Sequence, residues 1–343
     1  MKFRAVFRDP EVLYDVCDNA RKIQKYTLLK LSASKIRLSA TTAYMEGGSH
    51  SVIEDKVRMW VSISSDVLFS SVHVESKRKN EIFCLMKTAD ITIALRQANT
   101  ADTHPLRSPQ WRGRQLCVKL AKDGNQPILQ FSSSSDDQNG PEAPCGVPNA
   151  SIGTITHSVP VQVIGDEGPD LAQLPSITEC VRSFVLPPSE VLYAFCSSCQ
   201  LTDDSIQSSA ESTLPSSSQQ VGTIVMKIEI ADPLTSTECQ VTFFCSQESA
   251  SLRCVFEHVQ LLPSRSVDGE AGSRGHSPTE NPLYYTMKPN RLCAVMRALC
   301  REKRPLHTQS IFHCTENSGI ICSTKLAGDS AGLYHIPCIP TAR

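Results

Sequence analysis

Apolar positions recur along this chain with two periods, and the two alternate in a fixed order. In "NRLCAVMRALCREKR", Asn290–Arg304, a helical turn of 100° per residue puts Leu292, Val295, Met296 and Leu299 in one arc. Arg297, Arg301 and Arg304 fall opposite, so the segment predicts an amphipathic helix with a basic outer face. From Pro10 to about Tyr26, Val12, Val16, Ala20 and Ile23 form a second stripe, with Leu13 at its edge. Arg21, Lys22 and Lys25 surround its far side, diluted by Asp15 and Asp18. Thr88–Asn99 predicts a third helix, with Thr88 in the capping position, Ile91, Ala94, Leu95 and Ala98 inward and Arg96 outward. A fourth, Pro188–Cys199, turns Glu190, Tyr193 and Ser197 outward and carries no cation. Short stretches alternating with a period of two, such as "KFRAVF", "TLLKLS", "VRMWVSI", "TIVMKIEI" and "SLRCVFEHV", predict strands.

Each half of the chain starts on a strand and a helix, then runs through several strands to a second helix and more strands. This internal repeat of elements, without obvious sequence identity, predicts two similar α+β domains, helices on one face of largely antiparallel sheet. The predicted boundaries are residues 1–165 for the first domain, 166–175 for a connector and 176–343 for the second domain. Stretches rich in Ser, Gly, Pro and Asp at about 132–150, 202–222 and 263–282, with a shorter one at Gly47–Asp55, predict polar insertions.

Composition narrows the chemistry. The chain has 343 residues, 40% of them hydrophobic, and a formal net charge of -1. That is enough apolar material for two cores, and it excludes a uniformly basic nucleic-acid binder while leaving room for local cation clusters. No apolar run approaches the roughly 18 residues of a membrane span, and the N-terminus lacks a signal peptide's apolar core. The 15 cysteines are therefore expected to be reduced and mostly buried. Cys196 and Cys199 alone have a metal-like spacing, and no second ligand pair accompanies them, so no metal and no cofactor is expected. There is no phosphate-cradling Gly-x-x-x-x-Gly-Lys, no nucleophile elbow and no His-Glu-x-x-His, and "GEAGSRG" at Gly269–Gly275 sits inside a polar stretch. His157 reads as a structural hydrogen-bonding group. These absences argue against an enzyme.

Four short pieces, "MKFRA" at the start, "RMW" at Arg58–Trp60, "THSVPVQVI" at Thr156–Ile164 and "YHIPCI" at Tyr334–Ile339, resemble the Hus-type subunit of the DNA-damage checkpoint clamp. That clamp is the heterotrimeric nine-one-one ring, a relative of the replicative sliding clamp. The resemblance implies the sliding-clamp fold, with two helices of each domain lining a channel around duplex DNA. It implies DNA-facing roles for Arg21, Lys22, Lys25, Arg96, Arg297 and Arg301. It further implies two other ring subunits, an ATP-driven clamp loader, repair and checkpoint-signalling partners, and a place in the nucleus.

"THSVPVQVI" alternates and ends just before the connector, which predicts an edge strand. The resemblance puts that strand at a subunit junction, with Val159, Val161 and Val163 on one edge and Leu252, Cys254 and Phe256 on the matching edge, Ser251–Val259. A charge at Val161 or Val163 is accordingly expected to block assembly and spare the fold. Leu171 and Leu174 are the expected apolar anchors of a docking surface on an acidic connector. Two readings compete with this: cations that serve only solubility, and a clamp-like scaffold that acts outside a DNA-encircling ring.

Overall fold

In a computed structural model the described residues are 1–40, 57–103, 114–135, 155–165, 180–207, 222–230, 236–246, 251–262, 282–300, 310–315, 319–325 and 330–339. They form two compact units. Among them no helix is long and apolar enough to cross a membrane.

The first unit runs β1 (Lys2–Phe7), α1 (Pro10–Ile23), β2 (Tyr26–Leu31), β3 (Lys35–Ala40), β4 (Arg58–Ser64), α2 (Ser65–Leu68), β5 (Phe69–Glu75) and β6 (Ile82–Lys87). It continues with α3 (Thr88–Thr103), β7 (Arg114–Asp123), β8 (Gln126–Ser135), β9 (Ile155–Pro160) and β10 (Gln162–Ile164). One sheet has the order β5-β1-β7-β8-β9, and β10-β6-β2-β3-β4 form a second run of paired strands, antiparallel throughout.

The second unit runs β11 (Cys180–Val185), α4 (Ser189–Gln207), β12 (Thr223–Glu229), β13 (Glu238–Ser246), β14 (Ser251–Leu262), β15 (Leu283–Met287) and α5 (Pro289–Cys300). It closes with β16 (Ser310–Thr315), β17 (Ile320–Lys325) and β18 (Ala331–Ile336), in the strand order β18-β17-β16-β11-β14-β13-β12-β15.

These are the same topology. In the first unit β4 pairs with β3 and β5 pairs with β1, with α2 between them. In the second, β14 does both jobs, pairing along Ser251–Gln260 with β13 and at Leu261 and Leu262 with β11. The returns match too. After β9 the chain crosses at Val161 so that β10 adds to β6, and after β18 it crosses so that Ile339 bridges to Thr286 of β15.

Local chemistry sets the element ends. Asp9 caps α1, its carboxylate accepting from the Glu11 N–H at 3.0 Å, and Pro10 occupies the first turn, where a missing N–H costs nothing. The helix stops at Ile23, earlier than the expected Tyr26, because Gln24 is extended and donates its N–H back to the Ala20 carbonyl. Thr88 is the first residue of α3, not a residue preceding it, and its hydroxyl bonds the Gln24 carbonyl and pairs with the Thr27 hydroxyl. The polar stretches start later than their composition suggested: β8 runs to Ser135 and α4 to Gln207. The expected end of α4 at Cys199 is thus corrected, since the helix continues through Leu201–Gln207.

Burial follows the two periods. Val12, Leu13, Val16 and Ala20 of α1, Ile91, Ala94 and Leu95 of α3, and Leu292, Val295, Met296 and Leu299 of α5 all lie in the core. So do Cys196 and Cys199, both fully buried, and burial pushes the Cys196 thiol well above its usual range. The Cys84 thiol is likewise pushed up to about 12 and that of Cys239 to about 11 by burial. Such thiols pack as small hydrophobes and supply little thiolate. Among the described residues no group of histidines, cysteines and carboxylates is placed to hold a metal ion.

Candidate nucleic-acid interface

The helices come in pairs, α1 against α3 in the first unit and α4 against α5 in the second. Each pair sets an apolar stripe on its own core, so the remaining arc of each helix is what it can offer a ligand.

On the first pair, among the residues whose burial is described, the exposed positions are Arg21 of α1 and Ala89, Ile93 and Arg96 of α3. Arg21 contacts Asp18 at 2.8 Å yet keeps half its side chain in water. Lys22 differs: its ammonium lies 2.9 Å from the same carboxylate and donates to the Asn19 amide oxygen at 3.0 Å, and only 12% of its side chain is exposed. Burial would push the Asp18 carboxyl up, but the hydrogen bonds and charges of Lys22 and Arg21 outweigh it and hold that group below the usual carboxylate range. Lys22 is therefore spent inside the unit. Lys25 is exposed but sits in the turn after α1, with its ammonium 5.6 Å from the centre of the Tyr26 ring. That corrects its expected place on the helix itself.

On the second pair, among the residues whose burial is described, the exposed ones of α4 are Glu190, Val191, Ala194 and Ser198, none of them a cation. Tyr193 faces α5, where its hydroxyl accepts from Arg297 Nε at 3.3 Å and its ring lies 5.9 Å from the guanidinium carbon. Arg297 itself is exposed. Arg291, one and a half turns earlier on α5, is buried, with its guanidinium donating to the Pro337 carbonyl at 2.9 Å. Arg301 lies outside the described residues, as do the connector anchors Leu171 and Leu174.

Of the sheet edges left unpaired among the described residues, two belong to the strands expected at a subunit junction. β9 ends its sheet, and β14 has no partner along the far side of Ser251–Gln260. The single edge strand expected over Thr156–Ile164 is corrected to two, because Val161 turns the chain from β9 to β10. Its N–H donates to the Pro127 carbonyl, and its own carbonyl accepts from Gln126. Val159 and Val161 are each 2% exposed and Val163 is half-buried, while Thr156, Ser158 and Pro160 face water. A charge at Val161 would therefore strike the core, contrary to the expectation that it spares the fold.

On β14, Leu252, Cys254 and Phe256 are half-buried, with the Phe256 ring edge-on to Phe243 at 6.1 Å, so this edge offers its main chain. His258, in the left-handed region at φ 56°, sits where the β13 pairing slips, a bulge that reverses the side-chain alternation beyond Glu257. Its imidazole lies 2.7 Å from the Glu238 carboxylate. Reading the sequence alone did not reveal Asp18 as the sink for Lys22, or Tyr193 as the seat of Arg297. The spacing of Asp18 and Lys22, four residues apart, was the available signal.

A family model described as Hus1-like protein matches residues 1–275. The chain belongs to that family. The matched span covers the first unit and the second as far as β14, and leaves α5 and β15 to β18 beyond it. No curated protein matches the chain. Among solved structures, Proliferating Cellular Nuclear Antigen from Entamoeba histolytica is similar with a TM-score of 0.56 and 10% identity, over 98% of this chain and 99% of that one. PCNA from Thermococcus kodakaraensis is similar with a TM-score of 0.56 and 12% identity, over 98% of this chain and 100% of that one. At such identities the likeness speaks to fold, and the fold of this Hus1-like chain is the sliding-clamp fold. It is a clamp-type subunit and not an enzyme.

Proposed function

We propose that the chain is one subunit of a heterotrimeric checkpoint clamp that encircles duplex DNA at damage sites and serves checkpoint-signalling and repair factors as a platform. The observation that carries this reading is the family match across 1–275, joined to a repeat that puts one helix pair in each unit with exposed arginines on both. A topological tether needs no tight or sequence-specific grip, so a few phosphate contacts per subunit suffice, and a chain of net charge -1 can supply them. In this reading Arg21, Lys25, Arg96 and Arg297, with Arg301, meet the phosphates. The main chains of β9 and of Ser251–Val259 pair with the two other subunits, an ATP-driven loader opens the ring, and Leu171 and Leu174 anchor docked factors in the nucleus.

The cation-free exposed face of α4 favours a second reading, a clamp-like scaffold that works outside a DNA-encircling ring. One experiment separates them. The chain is purified from cells with its stoichiometric partners at moderate salt, loaded on nicked circular duplex, and the circle is then cut. The proposed function requires two different partner subunits and release on cutting. Equal retention on circular and linear DNA, or recovery without clamp partners, contradicts it.

A further inference from the structure

The repeat permits a comparison between equivalent sheet faces turned away from the two cores. In the first unit β10 adds to β6 with Gln162 opposite Leu85 and Ile164 opposite Phe83. Leu85 and Phe83 lie in turn beside Leu28 and Lys30 of β2. Ile164, Phe83, Leu85 and Leu28 form a buried cluster with Tyr26 packed against it, so the chain seals this face with its own return strand.

In the second unit Thr286 and Tyr284 of β15 take the places of Leu85 and Phe83, and Val225 and Lys227 of β12 those of Leu28 and Lys30. Beyond them, Phe244 and Thr242 of β13 pair with Arg253 and Val255 of β14. Here the return supplies one rung, the Ile339 N–H donating to the Thr286 carbonyl at 2.7 Å. Tyr284 stands two residues before Thr286, so in an antiparallel ladder its main-chain N–H and C=O point to that same side. No strand among the described residues meets them there. The side chains are open as well: Tyr284 is 52% exposed, Phe244 39% and Val255 38%. Tyr284 and Val225 are diagonal neighbours across the ladder, as are Phe244 and Val255, so the four make one apolar patch. Lys227 on this face is already matched by Glu229 at 2.6 Å.

We propose that this face receives an extended apolar segment of a partner protein, which adds antiparallel to β15 beside Tyr284 as β10 adds to β6. The segment lays an aliphatic side chain over Tyr284, Val225 and Phe244. Its main chain answers the open N–H and C=O of Tyr284, and alternate side chains give the selectivity.

The test uses the full chain and a labelled peptide copying Ser158–Gly165, the protein's own sealing strand, read by fluorescence anisotropy. The expected result is saturable binding, at least tenfold weaker for the peptide carrying Ile164→Glu and for chains carrying Tyr284→Glu or Phe244→Ser. Phe244→Ser serves alone if Tyr284→Glu lowers the melting temperature. A chain ending at Ile339 should bind within twofold of the full chain, and ring partners should co-purify with Tyr284→Glu as before. No binding, equal binding of both peptides, or variants that bind as wild type would overturn the proposal. A gain above tenfold on truncation would overturn it by giving the face to the chain's own last residues. Lost ring partners would overturn it by giving the face to a subunit junction, leaving the ring reading intact.

Discussion

The two helix pairs share a topology and differ in how they hold their cations. On α1 and α3, one lysine is neutralised by Asp18 and half-buried, while Arg21, Arg96 and the turn residue Lys25 stay in water. On α4 and α5, one arginine is buried on a main-chain carbonyl, one rests on a tyrosine, and α4 offers Glu190, Val191, Ala194 and Ser198. Counting basic residues therefore overstates the charge that either pair can offer. What counts is whether an acid stands four residues away on the same helix, or an acceptor on the next element.

Two arginines of α5 sharpen this contrast. Arg291→Ala removes a buried donor and its packed stem and leaves the Pro337 carbonyl unanswered, at an expected cost of about 2–3 kcal/mol. Arg297→Ala should change stability by no more than about 0.5 kcal/mol. Urea melts of both variants check this, and equal costs would erase the distinction between them. The same logic applies to the two faces of β9. Val159→Asp puts a charge in the core and should cost about 3 kcal/mol or more, whereas Ser158→Asp on the exposed face should stay within about 0.5 kcal/mol.

A smaller effect belongs to the second unit. The His313 imidazole bridges the Ser183 and Ser323 hydroxyls at 2.9 and 2.8 Å, and burial holds its proton affinity below the usual 6.5. The unfolded chain thus binds a proton near pH 6.5 that the folded chain refuses until more acid conditions. The stability His313 contributes is full above pH 6.5 and is lost as pH falls towards its folded value. Denaturation at pH 7 and 5 should show a smaller acid loss for His313→Gln than for wild type, and an equal loss would contradict the assignment. Smallest of all, Tyr193→Ala frees Arg297 and should steepen the salt dependence of DNA binding by less than about one unit.

Much of the fold was legible because its signals are local. Val12, Val16 and Ala20, or Leu292, Val295 and Met296, repeat at helical spacing, and the strand–helix order repeats between halves. What stayed hidden depends on contacts between elements. The alternation of Thr156–Ile164 reads as one strand, and only the hydrogen bonds of Val161 to Pro127 and Gln126 show where the chain changes sheets. The seat of Arg297 on Tyr193 joins residues far apart in sequence. The charge sink at Asp18 was within reach of a spacing argument, but its strength comes from burial, which spacing alone does not give.

The central claim is that the exposed cations of the helix pairs meet DNA phosphates, and salt titration tests it most directly. Assembled rings, wild type and Lys25→Ala/Arg96→Ala/Arg297→Ala, are titrated with duplex DNA across a range of ionic strength, with Lys22→Ala as the internal control. The slope of log affinity against log salt should flatten by about 0.9 for each exposed cation removed and hold steady for Lys22→Ala, with no sequence preference gained or lost. If the triple variant and the wild type give the same slope, these faces are solvated surface and the clamp subunit holds DNA by other means.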